Sequence, residues 1–351
     1  MLKNKHNLYQ NYSYCLATYF NEKNESLCII TNSNNEAKYL VNELKLILEN
    51  NSIIHFRESD ILPYDHFSVP EKITKERFKI VNNSKSYKKH ILVASVKSLF
   101  ERYPENEFFK SIKNFKIDTK ISLIELINIV ESLNYQKKTN VENINEYSVR
   151  GGIIDIYTPI YSNPLRVEIF DDRIESIRFF DVESQLSVNT LSEFSISNGN
   201  SVLFDKNTID MFIDRWRDYF PEIDERYCPI FQNIKNNYNS EGYEIYYPFF
   251  FKKTLNFLEL FDDYKYIKLN NLDEEMLKYN NFIQERYRDE KIDNSRPLIK
   301  PSDLFLPYDD VNKIYNSINS LNINEIGFNF ISFNELEEAI SNNVFSKSKV
   351  V

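Results

Sequence analysis

Residues 147–185 read YSVRGGIIDIYTPIYSNPLRVEIFDDRIESIRFFDVESQ, and the fold reading starts there. The stretch begins as a strand that turns through the pair Gly151 and Gly152 and continues into a tight β-hairpin. Strand side chains alternate with period two, so Leu165, Val167 and Ile169 fall on one side of the first hairpin strand and Arg166, Glu168 and Phe170 on the other. A large aromatic therefore shares the polar face with an arginine. Asp171 and Asp172 are short polar residues that tolerate turn conformations, so the chain can reverse there and return as Arg173 to Phe180. Two readings of that outer face compete. In one, Phe170 packs under a neighbouring helix and Arg166 pairs with Glu168 or Glu175 on a solvated face. In the other, the face is a binding surface.

Upstream, the first hundred residues carry a different pattern. Ser26–Thr31, SLCIIT, reads as a buried strand, Asn35–Asn50 as a helix with apolar positions at Ala37, Leu40, Leu44 and Leu48, and Ile53–Phe56 as a second strand. Strand, helix, strand is the parallel crossover unit. Ile91–Ser95 is a further buried strand, and Val96–Tyr103 is expected to start a helix that ends near Pro104. The result looks like half of a nucleotide-binding sheet, yet the whole chain has five glycines, Gly151, Gly152, Gly199, Gly242 and Gly327, and the first 150 residues have none. A phosphate loop GxxxxGK[ST] and the dinucleotide motif GxGxxG both need glycine so that backbone N–H groups can close around phosphate. Neither pattern occurs. The reading is an α/β domain with the architecture of a RecA-type motor and without its phosphate loop; an unrelated flavodoxin-like sheet is the alternative.

From about Asn114 the pattern shifts again. Lys120–Leu133 is expected to be a helix with an apolar side at Leu123, Leu126, Ile127, Val130 and Leu133, and Ile121, Ile124 and Ile129 off that stripe point to burial on more than one side. Gly199 lies in SNGNS, a polar run suited to a linker. Thr208–Tyr219 reads as a helix carrying Trp216 and ended by Pro221; Gly242–Phe251, GYEIYYPFFF, is apolar enough for core; Leu272 to about Ile292 is a long helix, and Ile326–Phe330 is strand-like.

Composition bounds the function. A chain of 351 residues suggests two or three domains, and 42% hydrophobic with 15% aromatic residues is material for packed interiors. A formal net charge of −9 opposes broad attachment to nucleic-acid phosphates. Cys15, Cys28 and Cys228 form no CxxC pair and accompany four histidines, His6, His55, His66 and His90, which argues for a reducing compartment without a zinc site. The N-terminus lacks a signal-peptide apolar core, and no apolar run approaches the roughly 18 residues of a membrane span. The expectation is a cytoplasmic protein without membrane contact. Asp155, Glu168, Asp171, Asp172 and Glu175 could suggest a divalent-metal nuclease, but the Asp…Glu-x-Lys pattern would need lysine where Phe170 stands. Turn acids and solvated strand faces are the better account. No GxSxG elbow is present; His66 decorates a loop, and Tyr64 and Phe67 read as packing residues ahead of base-stacking ones. No catalytic residue, cofactor or metal is expected.

Tyr147–Gln185 closely resembles the second domain of the bacterial transcription-repair coupling factor family (Mfd) and, more distantly, the matching domain of the excision nuclease subunit UvrB. ILPYDHFSVPEKITKERF, residues 61–78, resembles the family's link between two strands of a helicase-like first domain. The aromatic stretch from Gly242 resembles the one that precedes the return to that domain. The resemblance implies a degenerate RecA/helicase-like parallel-sheet domain in two chain segments, 1–113 and 199–335, with a small α+β domain, 114–198, inserted and a C-terminal linker, 336–351. The missing phosphate loop looks like the coupling factors more than UvrB.

The resemblance also implies UvrA as the partner. Arg150 looks like the arginine of the family's RG motif, Arg166 like the arginine of its P-x-R hairpin strand, and Phe170 like the aromatic at that strand's end, and in the family these positions contact UvrA. Arg178 and Asp181 are placed on the rim; Gly151 and Gly152 serve the tight turn. A planar guanidinium and an exposed ring suit an interface anchor. The implied role is to recruit UvrA to stalled transcription complexes in nucleotide excision repair, with no ATPase in this segment and with RNA polymerase and DNA held by downstream domains of the family. The alternative is a DNA-engaging accessory part of an ATP-dependent translocase.

Overall fold

The structure, a computed structural model, describes residues 2–317 apart from 24, 49–51, 85–88, 106–112, 134, 198–201, 203, 239 and 269–271. The expected linker at Gly199, the strand Ile326–Phe330 and the segment 336–351 lie outside the described residues. The chain opens with α1 (Leu2–Glu22), β1 (Leu27–Thr31), α2 (Asn34–Ile47), β2 (Ile53–Phe56), α3 (Glu71–Asn83), β3 (Ile91–Ser95) and β4 (Tyr103–Pro104). Every residue of β1 and β3 is buried, as expected for parallel strands covered on both faces. Between β1 and α2 lie Asn32 and Ser33, and the Ser33 hydroxyl accepts the Glu36 N–H at 3.3 Å, capping α2. That helix buries Ala37, Leu40, Val41 and Leu44 against the sheet. The helix expected over Val96–Tyr103 is corrected: Val96–Leu99 form one 3₁₀ turn, and Tyr103 leaves it for β4, buried with its hydroxyl donating to the Ser98 carbonyl at 3.0 Å.

The next segment contributes β5 (Lys113–Lys116), α4 (Leu123–Ser132), β6 (Gln136–Lys137), β7 (Glu146–Arg150), β8 (Ile153–Ile156), β9 (Leu165–Phe170), β10 (Arg173–Phe180), β11 (Ser187–Leu191) and β12 (Glu193–Ile196). Among the described residues six of these strands form one sheet in the order β11-β10-β9-β8-β7-β6, and β12 pairs with β5. Helix α4 starts later than the apolar pattern suggests because Ser122 and Glu125 make a reciprocal capping box. It buries Leu126 and Val130, whereas Ile124 is 70% exposed; the expected burial on more than one side gives way to a single covered face.

The chain then continues through α5 (Lys206–Tyr219), α6 (Pro229–Lys235), a 3₁₀ helix at Tyr243–Phe250, β13 (Thr254–Leu255), α7 (Phe257–Leu260), β14 (Lys265–Lys268), α8 (Asp273–Glu290), α9 (Pro301–Leu304) and α10 (Tyr308–Ser317). Strand β14 pairs in parallel with β1, completing the order β14-β1-β3-β2 among the described residues. The chain thus leaves the first sheet after β3 and rejoins it after the second sheet is built. Packing follows the same division. One aromatic-rich core draws on residues 28–103 and 202–315, with Phe212 stacked on Phe250 at 4.9 Å, and a smaller one joins α1 and α2 to the other side of the parallel sheet. A separate core lies within 115–196.

Candidate protein-binding site

The register of the second sheet settles which side chains share a face. Pairing sets Asp155 opposite Arg166, Ile153 opposite Glu168, Arg150 opposite Ile153, and Arg178 opposite Arg166. The outer face therefore carries Arg150, Asp155, Arg166, Glu168, Phe170 and Arg178. The inner face carries Ile154, Ile156, Leu165, Val167, Ile174 and Ile177, all buried in the core with α4. Each such side chain stabilises the sheet by about 1.5–3 kcal/mol relative to exposure, so a one-residue slip that inverted the faces would be strongly resisted.

Two turns bring the candidates to one end of this sheet. Asp171 and Asp172 both take positive φ, 48° and 55°, the pattern of the two-residue turn that matches strand twist, and so Phe170 pairs with Arg173. Beside it, Gly151 takes φ +60°, and Gly152 lies so close to β9 that a Cβ there would meet the Ile169 carbonyl oxygen at 2.8 Å. The Ile169 N–H donates to the Gly152 carbonyl at 2.9 Å. Arg150, immediately before this turn, is exposed and donates to the Asn140 side chain at 3.0 Å. Phe170 is 71% exposed, and among the described residues no helix covers it as the packing reading required.

Arg166 has a different setting. Its Nε and Nη2 donate to the two Asp155 carboxylate oxygens at 2.8 and 2.9 Å, its Nη1 donates to the Gln185 carbonyl at 3.1 Å, and it lies 4.5 Å over the Phe180 ring. Asp155 is 3% exposed. The two-pronged geometry raises the Arg166 pKa further above its ordinary value, chiefly through the Asp155 hydrogen bonds. Asp155 holds this guanidinium, where the sequence had offered Glu168 or Glu175. Glu168 instead accepts from Arg178 at 2.9 Å and Ser176 at 3.1 Å, and Glu175 is the extra residue of a bulge in β10. Asp181 accepts from the Ser184 N–H and hydroxyl, each at 2.8 Å, which holds its carboxyl below the usual range and fixes the turn into β11.

The sequence reading passed over Arg173, Leu186 and Val188. Arg173 is exposed opposite Phe170, and Leu186 and Val188 are exposed apolar side chains on the turn and strand beside Arg178. Continuing the period-two pattern past the Asp171–Asp172 turn would have found Arg173. The two hydrophobic residues have no comparable signal, because their exposure depends on which neighbours cover β11. Of the carboxylates weighed as a metal cluster, Asp155 and Glu168 are ion-paired, Asp171 and Asp172 form the hairpin turn and Glu175 sits in the bulge, and among the described residues no group of three His, Cys, Asp or Glu is placed to hold a metal. In the first domain Tyr64 is buried with its hydroxyl donating to the Ile299 carbonyl, Phe67 is exposed, and His66 meets Glu290 at 3.2 Å. The three cysteines are buried and free.

Residues 114–201 match the UvrB interaction domain. The chain is similar to transcription-repair coupling factors. It is 24% identical to the factor of Haemophilus influenzae over 294 residues, 83% of this chain and 26% of that protein. To the Escherichia coli factor it is 25% identical over 262 residues, 74% of this chain and 23% of that protein. The Staphylococcus aureus factor is 24% identical over 230 residues, 64% of this chain and 19% of that protein. The chain spans about a quarter of the length of the first two of these relatives, and its likeness to them is consistent with their N-terminal region. No helix among the described residues is long and apolar enough to cross a membrane.

Proposed function

We propose that this chain docks UvrA through the outer face of its six-stranded sheet and so recruits UvrA to stalled transcription complexes in transcription-coupled nucleotide excision repair. The observation that carries the reading is Phe170, 71% exposed at the sheet's end directly opposite Arg173, with Arg150 two strands away on the same face, inside the segment that matches the UvrB interaction domain. An exposed aromatic ring with arginines on the same face is the kind of anchor that dominates interface energetics. Arg150 and Phe170 contact the partner, Arg166 braces the face from below through Asp155 while offering its outer edge, and Arg178 and Asp181 form the rim. The segment has no ATPase of its own: the two-residue link from β1 to α2, capped by Ser33, supports this because it leaves no glycine loop to cradle phosphates. The parallel sheet is a degenerate RecA-type domain in two segments. RNA polymerase and DNA are engaged by other regions of such factors, and the setting is cytoplasmic.

Calorimetric titration of the chain into a bacterial UvrA tests the reading. Binding that is lost in Phe170→Ala supports it; equal binding by both proteins moves the interface elsewhere. ATP turnover abolished by a point change in the first domain would overturn the non-enzyme part. Tight, salt-sensitive DNA affinity would favour the DNA-engaging alternative.

A further inference from the structure

At its hairpin end the second sheet gains a short neighbour. Residues 119–121, just ahead of α4, run antiparallel to the start of β10: the Ile174 N–H donates to the Thr119 carbonyl at 3.1 Å and the Ile121 N–H to the Asp172 carbonyl at 2.9 Å. These two bonds bracket Lys120 and Arg173 as a directly opposed pair. Opposed residues point to the same side, and in a pair bracketed this way the side chains come closest. Ile121 and Ile174 are buried in the inner core, so Lys120 and Arg173 stand on the outer face. Arg173 is opposed to Phe170 as well. One row across the sheet therefore runs Lys120, Arg173, Phe170, and all three side chains are exposed. On its other side Phe170 adjoins the turn of Gly151 and Gly152, which carry no side chain.

Like charges directly opposed on a sheet repel and destabilise it. The carboxylates around this pair are engaged or placed elsewhere. Glu125 accepts from the Ser122 N–H and hydroxyl at 2.8 and 2.9 Å, and Glu168 accepts from Arg178 and Ser176. Asp118, Asp171 and Asp172 sit on the adjoining turns, where all three take positive φ. Among the described residues neither the Lys120 nor the Arg173 side chain makes a hydrogen bond or ion pair.

We infer, on the docking reading proposed above, that Lys120 and Arg173 form a carboxylate-binding pair beside Phe170, and that the protein docked on this face presents an acidic side chain to it. This adds to Arg150 and Phe170 two further contacts and the charge of the partner's surface. A planar guanidinium beside a flexible ammonium can share the oxygens of one carboxylate, which also relieves the repulsion between the two cations. A docked ring at Phe170 excludes water from the pair and so strengthens it. A nucleic-acid backbone is disfavoured, because the three turn aspartates lie alongside and the chain carries a net charge of −9.

The test compares the intact chain with the Lys120→Gln/Arg173→Gln double variant, with Asp172→Asn and, as a control, with Lys79→Gln, an exposed lysine on α3. Each is titrated calorimetrically into a bacterial UvrA at low and high salt. The double variant is expected to bind about tenfold more weakly and with a flatter salt dependence. Asp172→Asn, which suits the same positive φ, is expected to tighten binding about twofold, and Lys79→Gln to leave it unchanged. In the free chain Arg173→Gln is expected to melt no lower than the parent, because it removes a repulsion. Undiminished binding by the double variant, with binding still lost in Phe170→Ala, would overturn the carboxylate pair and leave the docking reading standing; a parent that binds no UvrA would overturn both. Tighter binding by the double variant, or weaker binding by Asp172→Asn, would make the partner's surface basic and overturn its class. An equal loss in Lys79→Gln would reduce the effect to net charge and overturn the site, and a lowered melt in Arg173→Gln would make that residue structural. Duplex DNA held by the parent and released by the double variant would overturn the choice of a protein carboxylate.

Discussion

Phe170 and Arg166 lie four residues apart on one strand face, and solvent meets them differently. The ring stands 71% exposed at the sheet's end, whereas the guanidinium is tied to Asp155 and Gln185. Truncating them should therefore have different readouts. Phe170→Ala is expected to weaken UvrA binding about 30-fold, near 2 kcal/mol, with a melting temperature within a degree or two of the parent; calorimetry and thermal melting measure both. Asp155→Ala leaves Arg166 half-buried without its carboxylate. That change should cost about 3–5 kcal/mol of stability, read as a shifted urea midpoint, and a neutral result would show the pair to be dispensable. The alternation that placed these side chains on one face was legible from residues 165–170. The choice of Asp155 as partner was not, because it lies on a strand whose register with β9 no local pattern specifies.

The two turns at the end of the sheet are the elements on which the site depends. Gly151 and Gly152 do different work. A Cβ at Gly151 meets nothing within 4 Å, so Gly151→Ala carries the positive-φ strain of about 1 kcal/mol. A Cβ at Gly152 meets backbone at 2.8 Å and must push β8 from β9. Gly152→Ala should therefore destabilise more than Gly151→Ala in urea denaturation and also weaken UvrA binding; the reverse order would refute this account of the turn. In the neighbouring hairpin, replacing Asp171 and Asp172 by Asn and Gly suits the same positive φ values and should raise the urea midpoint, because the left-handed strain relieved, about 1–2 kcal/mol per residue, exceeds the roughly 0.5–1 kcal/mol by which glycine favours the unfolded chain. Most elements were readable from periodicity. The misreading at Val96–Tyr103 came from Tyr103, whose burial against distant aromatics outweighed local helical pattern.

For the whole molecule, the separation of cores predicts separable folding. A fragment spanning residues 113–197, which contains the whole of one core, should unfold cooperatively and retain UvrA binding; a fragment without cooperative melting would show that the rest of the chain is required. Acid sensitivity should divide in the same way. Burial lowers the pKa of His55 and His90 to about 4 from 6.5. Because the folded values are depressed, their contribution to stability is complete above pH 6.5 and is lost as pH falls toward 4. The intact chain should thus lose urea resistance across that window. The fragment, which contains no histidine, should lack this component, and identical pH profiles for the two would refute the assignment. The sequence by itself determined most of the strand and helix types, Val96–Tyr103 excepted, the alternating faces of the hairpin and the absence of a glycine phosphate loop, because these depend on spacing and residue type within a few positions. The tertiary structure decided that β14 completes the parallel sheet, that Asp155 holds Arg166 and that Phe170 stays exposed. Each of these depends on segments brought together from distant parts of the chain, where the balance of burial and hydrogen bonding has no local signature.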